Sequence, residues 1–169
     1  IHPGTQNPAN SLKGRLCVEG NRLIRTLSKE LGMDFKEMGE LIVAFDEKDI
    51  ARLMELKKKA EIIGVPGLKI VDKIWLMENE PNLNPDARLA LFAPTAGIIS
   101  PYRLVYDLYE NALRNGVEAY TESEVKNILY LQTQGKSHFE IDTKICLFKA
   151  RFVINAAGLF ADDISAMAG

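Results

Sequence analysis

From Lys149 to Asp163 the chain reads KARFVINAAGLFADD: an apolar stretch, then Asn155, two alanines, a glycine and an acidic helix start. No other segment constrains the fold as much, because a strand that runs through a tight turn directly into a helix is a unit of α/β architecture. Ala156, Ala157 and Gly158 carry almost no side chain, so the backbone N–H groups of the turn can approach a bound group that larger residues would hold off. A small-residue turn between strand and helix also serves packing alone in many α/β proteins, and the local sequence leaves both readings open.

The rest of the chain alternates in the same manner. A first helix is predicted from Ser11 to Leu31, where Leu12, Leu16, Val18, Leu23, Leu27 and Leu31 recur near helical spacing and Gly32 offers a stop. Gly14 and Gly20 interrupt it. Each costs about 1 kcal/mol relative to alanine in a helix, which points to close packing against a neighbour or ligand, or to a frayed start. Glu40–Phe45 reads as a strand, and Asp46 as the cap of a helix with Ile50, Leu53, Met54, Ala60 and Ile63 on one side and Gly64 at its end. Leu68–Val71 is a short strand, Asp72 opens a helix that must finish before Pro81, and residues 80–85 form a loop. Leu89–Ala93 is a strand and Pro94–Pro101 a tight connection through Gly97. Ser100 and Pro101 then start a helix carrying Leu104, Val105, Leu108, Ala112 and Leu113 as far as Gly116. Val117–Tyr120, Glu124–Gln132, His138–Thr143 and Ile145–Ile154 are predicted strands, with a hairpin at Gly135 and a last helix from about Phe160. The order gives an α/β (α+β) fold without internal repeats.

Composition narrows the function classes. A net charge of −2 arises from interspersed acids and bases, and the densest basic run, Lys57-Lys58-Lys59, fits a solvated helix face, so no footprint for nucleic acid or a membrane surface is present. No apolar run approaches the roughly 20 residues of a transmembrane helix. Cys17 and Cys146 belong to no CxxC pair and read as buried thiols in a reducing, cytoplasmic compartment. The start at Ile1, without a methionine, and the stop soon after a helix start read as a piece of a longer protein.

Complete catalytic signatures are absent: the chain holds no GxGxxG, GxxxxGK, GxSxG or HExxH. With His2 and His138 the only histidines, no metal site is expected, and His138 reads as a surface strand residue. His2 differs because Pro3 and Gly4 follow it, placing an imidazole on a stiff turn where it can accept a hydroxyl proton near neutral pH. On two residues of context a frayed chain end is the plainer reading.

Six segments in order, IHPG (1–4), LKGRLCVEGN (12–21), ELIVAFDE (40–47), EPNLNP (80–85), PTAGIISPYRL (94–104) and VINAAGLFAD (153–162), resemble the FAD-dependent oxidoreductases of the D-amino-acid oxidase and glycerol-3-phosphate dehydrogenase superfamily. The nearest likeness is to its glycerol-3-phosphate and L-2-hydroxyglutarate dehydrogenase branch. The resemblance implies an FAD/NAD(P)-binding fold with a mixed-sheet substrate-binding segment. Residues 1–35 and 101–169 would belong to the FAD-binding domain and residues 36–100 to the substrate-binding segment. It implies cofactor contacts at Pro3, Gly4, Val125, Ala156, Ala157 and Gly158, with Val125 reaching the adenine through its backbone. It implies His2 as catalytic base, and Thr95, Gly97, Ile98 and Arg103 around a small anionic hydroxy substrate such as glycerol 3-phosphate or a 2-hydroxy acid. The reaction implied is hydride transfer from a secondary alcohol carbon to flavin while the base takes the hydroxyl proton.

The family's opening strand, GxGxxG turn and helix, which seat the pyrophosphate, have no counterpart here, nor do its closing strand and helix. The expectation is therefore an internal segment whose partners are the remaining parts of its parent chain. FAD belongs to that parent and is not expected to stay bound to these 169 residues alone, and the parent is expected to be cytoplasmic or peripherally membrane-associated. The alternative from a different class is a non-catalytic α/β binding or assembly module.

Overall fold

A computed structural model describes residues 1–133 and 135–169. They form two compact units, Ile1–Asn115 and Gly116–Gly169. The first unit runs α1 (Leu12–Leu31), β1 (Lys36–Glu37), β2 (Glu40–Ala44), α2 (Glu47–Ile62), β3 (Lys69–Asp72), α3 (Lys73–Asn79), β4 (Leu89–Ala93), β5 (Gly97–Ile98) and α4 (Pro101–Arg114). Each helix begins where a short polar side chain takes up an otherwise orphaned N–H. Ser11 accepts from Gly14 N at 3.0 Å, Asp46 from Asp49 N at 2.8 Å, Asp72 from Trp75 N at 2.9 Å and Ser100 from Arg103 N at 3.4 Å.

The main sheet has the order β2-β4-β3, antiparallel throughout, with Leu91 of β4 opposite Ile42 and Ile70. Strand periodicity sends alternate residues to opposite faces. Ile42, Ala44, Ile70 and Leu91 meet Leu53 of α2, while Val43, Val71 and Ala90 meet Leu76 of α3. Covered on both faces, these strands are apolar without alternation, which is why LIVA and LALFA stand out in the sequence. A second ladder joins β1 to β5, Lys36 opposite Ile98 and Glu37 opposite Gly97.

The helix α1 departs from expectation in its orientation. Its buried residues are Gly14, Asn21, Ile24 and Ser28, whereas Leu12, Leu16 and Leu23 face solvent. The leucine stripe is a genuine amphipathic face, yet the close approach of the chain's first residues selects small and polar side chains on the inward side. Of the two glycines, Gly14 is confined, since a Cβ there would lie 2.9 Å from Pro8 O, and Gly20 has open space. Met54 is also exposed rather than part of the α2 core, and the apolar side of α4 has no buried residue among those described.

The second unit is a meander, β6 (Val125–Thr133), β7 (Lys136–Thr143) and β8 (Leu147–Ala150), in the order β6-β7-β8, followed by a 3-10 turn at Gly158–Phe160 and α5 (Ala161–Ala168) packed on β6. Gly135 lies at φ 77° between the paired residues Thr133 and Lys136. Two expected strands fall short. Val117–Tyr120 is not a strand, although the Tyr120 ring packs edge-on to Phe148 at 4.9 Å. The last strand ends at Ala150, opposite Phe139, so the apolar run through Asn155 continues without a ladder and leaves Ile154 at 91% exposure. A strand needs a neighbour to take its backbone hydrogen bonds, and no described residue offers one. Cys146 is exposed and Cys17 half-buried, so neither is the buried thiol expected.

Candidate active site

The first unit gathers the residues around His2. The Ile1 nitrogen donates to Gly97 O at 2.6 Å and Gly97 N donates back to Ile1 O at 3.1 Å, so the first residues lie against the turn that follows β4. Pro3, Gly4 and Thr5 are buried. Gly4 sits at φ 104°, in the left-handed region, and a Cβ there would come within 3.1 Å of the Val18 side chain. Thr5 Oγ1 donates to Glu40 Oε1 at 2.9 Å. His2 itself is exposed and lines a cleft of about 400 Å3 with Gly4, Thr5, Lys13, Cys17 and Glu40. Two larger clefts, about 460 and 480 Å3, contain none of the predicted site residues, so chemistry rather than size selects the one beside His2.

Of the predicted substrate wall, Gly97 is buried in the β1–β5 ladder, Ile98 is exposed, and Thr95 is half-buried with its Oγ1 buried and without a partner among the described residues. A buried hydroxyl without a partner is a group with hydrogen-bonding capacity to spare. Arg103 stands apart from this cluster. It is exposed in the first turn of α4 and its Nε is 3.2 Å from Asp107 Oδ1.

In the second unit, Val125 opens β6, the edge strand. Lys144 N donates to Glu124 O at 2.9 Å, just beyond the Val125–Thr143 pair, which makes that pair non-hydrogen-bonded and turns the Val125 N–H and C=O away from β7. One donor and one acceptor thus stand on a sheet edge that pairs with no other strand among the described residues. The turn at 156–158 is held from within: Asn155 Oδ1 accepts from Ala157 N at 3.2 Å and Asn155 Nδ2 donates to Ala161 O at 2.7 Å. Gly158 takes φ 59°, and a Cβ there would meet nothing within 4 Å. Gly158 is therefore not packed against protein in this unit. Ala156 is exposed as well, whereas Ala157 is half-buried with its N–H bonded to Asn155 and its C=O accepting from Phe160 N.

Two residues without a role in the sequence reading are central to the first cluster. Asn21 Nδ2 donates to His2 O at 3.0 Å and to Thr95 O at 2.9 Å, while Arg25 Nη1 donates to Asn21 Oδ1 at 2.8 Å and Arg25 Nη2 to Thr95 O at 2.8 Å. Arg25 is anchored in turn by Glu37. The available signal was an asparagine inside a helix, a position asparagine does not favour without a specific partner. Among the described residues no group of three His, Cys, Asp or Glu side chains could hold a metal, and no helix is long and apolar enough to cross a membrane.

A helix-flanked sheet with a histidine turn beside it, and a hairpin sheet followed by a small-residue turn, define a mixed α/β protein. Residues 1–169 match the family described as FAD dependent oxidoreductase (DAO), and the chain belongs to that family. It is 35% identical over 167 residues to the glycerol 3-phosphate dehydrogenase of Caloramator mitchellensis, covering 99% of this chain and 34% of that protein. It is 28% identical over 177 residues to the mitochondrial L-2-hydroxyglutarate dehydrogenase of Homo sapiens, covering 100% of this chain and 38% of that protein. Among solved structures, dithionite-reduced L-alpha-glycerophosphate oxidase from Mycoplasma pneumoniae with FAD bound superimposes with a TM-score of 0.86 at 26% identity, covering 99% of this chain and 44% of that one. The chain spans a little over a third of the length of these curated relatives.

Proposed function

We propose that this chain is the substrate-side segment and one flank of the cofactor domain of an FAD-dependent dehydrogenase acting on a small anionic hydroxy compound, glycerol 3-phosphate or a 2-hydroxy acid. The observation that carries the reading is the seating of His2 against the Thr95–Ile98 turn, through the paired backbones of Ile1 and Gly97. FAD, when bound, supplies the acceptor for the hydride that leaves the alcohol carbon. His2 takes the hydroxyl proton on its imidazole, and the 95–98 turn forms the wall that orients the substrate. Pro3 and Gly4 let the backbone pass close to the cofactor ring, Val125 holds the adenine edge, and Ala156, Ala157 and Gly158 admit the cofactor to bare backbone. Arg103, whose Nε lies beside Asp107, keeps its Nη donors for the substrate's anionic group. On this reading residues 1–35 and 101–169 serve the cofactor, residues 36–100 serve the substrate, and the protein works in the cytoplasm or at a membrane surface. Membership in an oxidoreductase family leaves a non-catalytic binding or assembly module without support.

The test uses the full-length protein that contains this chain, purified with flavin and mixed anaerobically with glycerol 3-phosphate, L-2-hydroxyglutarate and other 2-hydroxy acids. One of these should bleach the flavin absorbance, and His2→Gln should slow that bleaching by about 10²- to 10⁴-fold. A flavin that no member of the panel reduces, or a His2→Gln variant at the wild-type rate, would refute the assignment.

A further inference from the structure

The segment that carries His2 is tied by the Ile1–Gly97 backbone pair on one side and by Asn7 N donating to Gly4 O on the other, while Pro3 between them has no N–H to give. The His2 carbonyl itself is held from α1. Asn21 is 4% exposed, on a helix whose leucines at positions 12, 16 and 23 face solvent. Three partners determine its orientation: the carbonyls of His2 and Thr95 can only accept, so the nitrogen faces them, and the Arg25 guanidinium can only donate, so the oxygen faces it. Every hydrogen-bonding group of the amide facing this junction is thereby used. Arg25 adds a second bond to Thr95 O, and Glu37 holds Arg25 from β1.

We propose that Asn21 is a positioning residue for the oxidation. By donating one amide hydrogen to His2 O and the other to Thr95 O, it sets the distance between the proton-accepting histidine and the substrate wall, and Arg25 holds the amide in that orientation. The inference rests on the assignment of His2 as the proton acceptor. Asn21 touches neither substrate nor cofactor in this role. Its effect runs through the two carbonyls, and a displacement of about 1 Å at a reacting group is enough to cost roughly 10²-fold in rate.

The experiment is single-turnover flavin reduction in the full-length holoenzyme by whichever compound of the panel above reduces the wild type, with Asn21→Leu, His2→Gln and the double variant. Asn21→Leu should retain flavin and lower the saturating reduction rate by about ten- to a hundredfold, with the half-saturating concentration changed less than about threefold. In the His2→Gln background the same substitution should change the rate by less than about twofold, because the group it positions is gone. A wild-type rate in Asn21→Leu, or an equal loss in both backgrounds, overturns the proposal. A wild-type rate in His2→Gln overturns the base assignment itself, and the positioning role with it. If Asn21→Leu does not accumulate with flavin, Arg25→Met carries the test, since it keeps both Asn21 donors while removing the Arg25 bonds to Asn21 Oδ1 and to Thr95 O that hold the junction in place. A several-fold loss that vanishes with His2→Gln supports the role, and a loss that persists overturns it.

Discussion

Gly97→Ala applies a single methyl group to the junction on which the His2 segment rests. A Cβ at this position would lie 2.6 Å from Lys36 O and 2.6 Å from the Phe35 ring, whereas ordinary contact begins near 3.4 Å. The ring can swing aside, but Lys36 O is backbone, so β1 must withdraw by roughly 0.8 Å, the difference between those distances. β1 is held by the ladder to β5 and by the Met38 and Gly39 N–H groups donating to Ala96 O, so the shift strains several bonds at once. Overpacking of this kind costs about 1–3 kcal/mol. For a unit of this size that lowers the melting temperature by roughly 4 °C per kcal/mol, about 4–12 °C in all. Trp75 is the only tryptophan, and its ring lies 5.4 Å from Phe92 within the first unit, so its fluorescence reports the unfolding of that unit specifically. Gly20→Ala is the matched control, because α1 leaves open space around Gly20 and the substitution should stabilise by about 0.5–1 kcal/mol. A Gly97→Ala protein within about 0.5 kcal/mol of wild type would refute the steric argument, and so would equal destabilisation by both substitutions.

Two further outcomes concern the second unit. Asn155→Ala removes the bonds to Ala157 N and Ala161 O and should loosen the 156–158 turn by about 1 kcal/mol, seen as faster hydrogen exchange at the Ala157 amide; unchanged protection would count against the staple. The Glu140 carboxyl is held below its ordinary range, chiefly by the hydrogen bond from Lys149 at 2.7 Å and to a smaller degree by His138. A lowered folded-state value means stabilisation that is present above the ordinary carboxylate range and lost as pH falls through the lowered one. Lys149→Met should therefore be less stable than wild type at neutral pH and converge with it as pH falls through the lowered carboxylate value, in urea titrations followed by circular dichroism. A difference that persists unchanged in acid would exclude the ion pair as its cause.

Much of the fold is legible in the residues because its signals are local. Ser11, Asp46, Asp72 and Ser100 stand at helix starts both by their chemistry and in three dimensions, and the apolar runs of β2 and β4 need no context beyond themselves. The readings that fail are those where burial depends on distant chain. The leucines of α1 form a real stripe, but the stripe that goes inside is the one met by distant chain: Pro8 and Ile63 lie against Gly14, and the His2 carbonyl lies against Asn21. Likewise Phe152, Val153 and Ile154 have every propensity of a strand and no described neighbour to complete one. The candidate site divides the same way. His2 and Gly97 carry recognisable chemistry, whereas the amide of Asn21 acquires meaning only from two carbonyls lying 19 and 74 positions away.

That last separation has a consequence in time. During synthesis His2 and α1 emerge before the Thr95 carbonyl and the Gly97 backbone, which follow only after the strands and helices between them. Contacts of such long range close late, after the loop entropy between them has been met by the sheet. The seat of the histidine is thus among the final parts of the first unit to assemble, and a nascent chain paused before Gly97 cannot possess it.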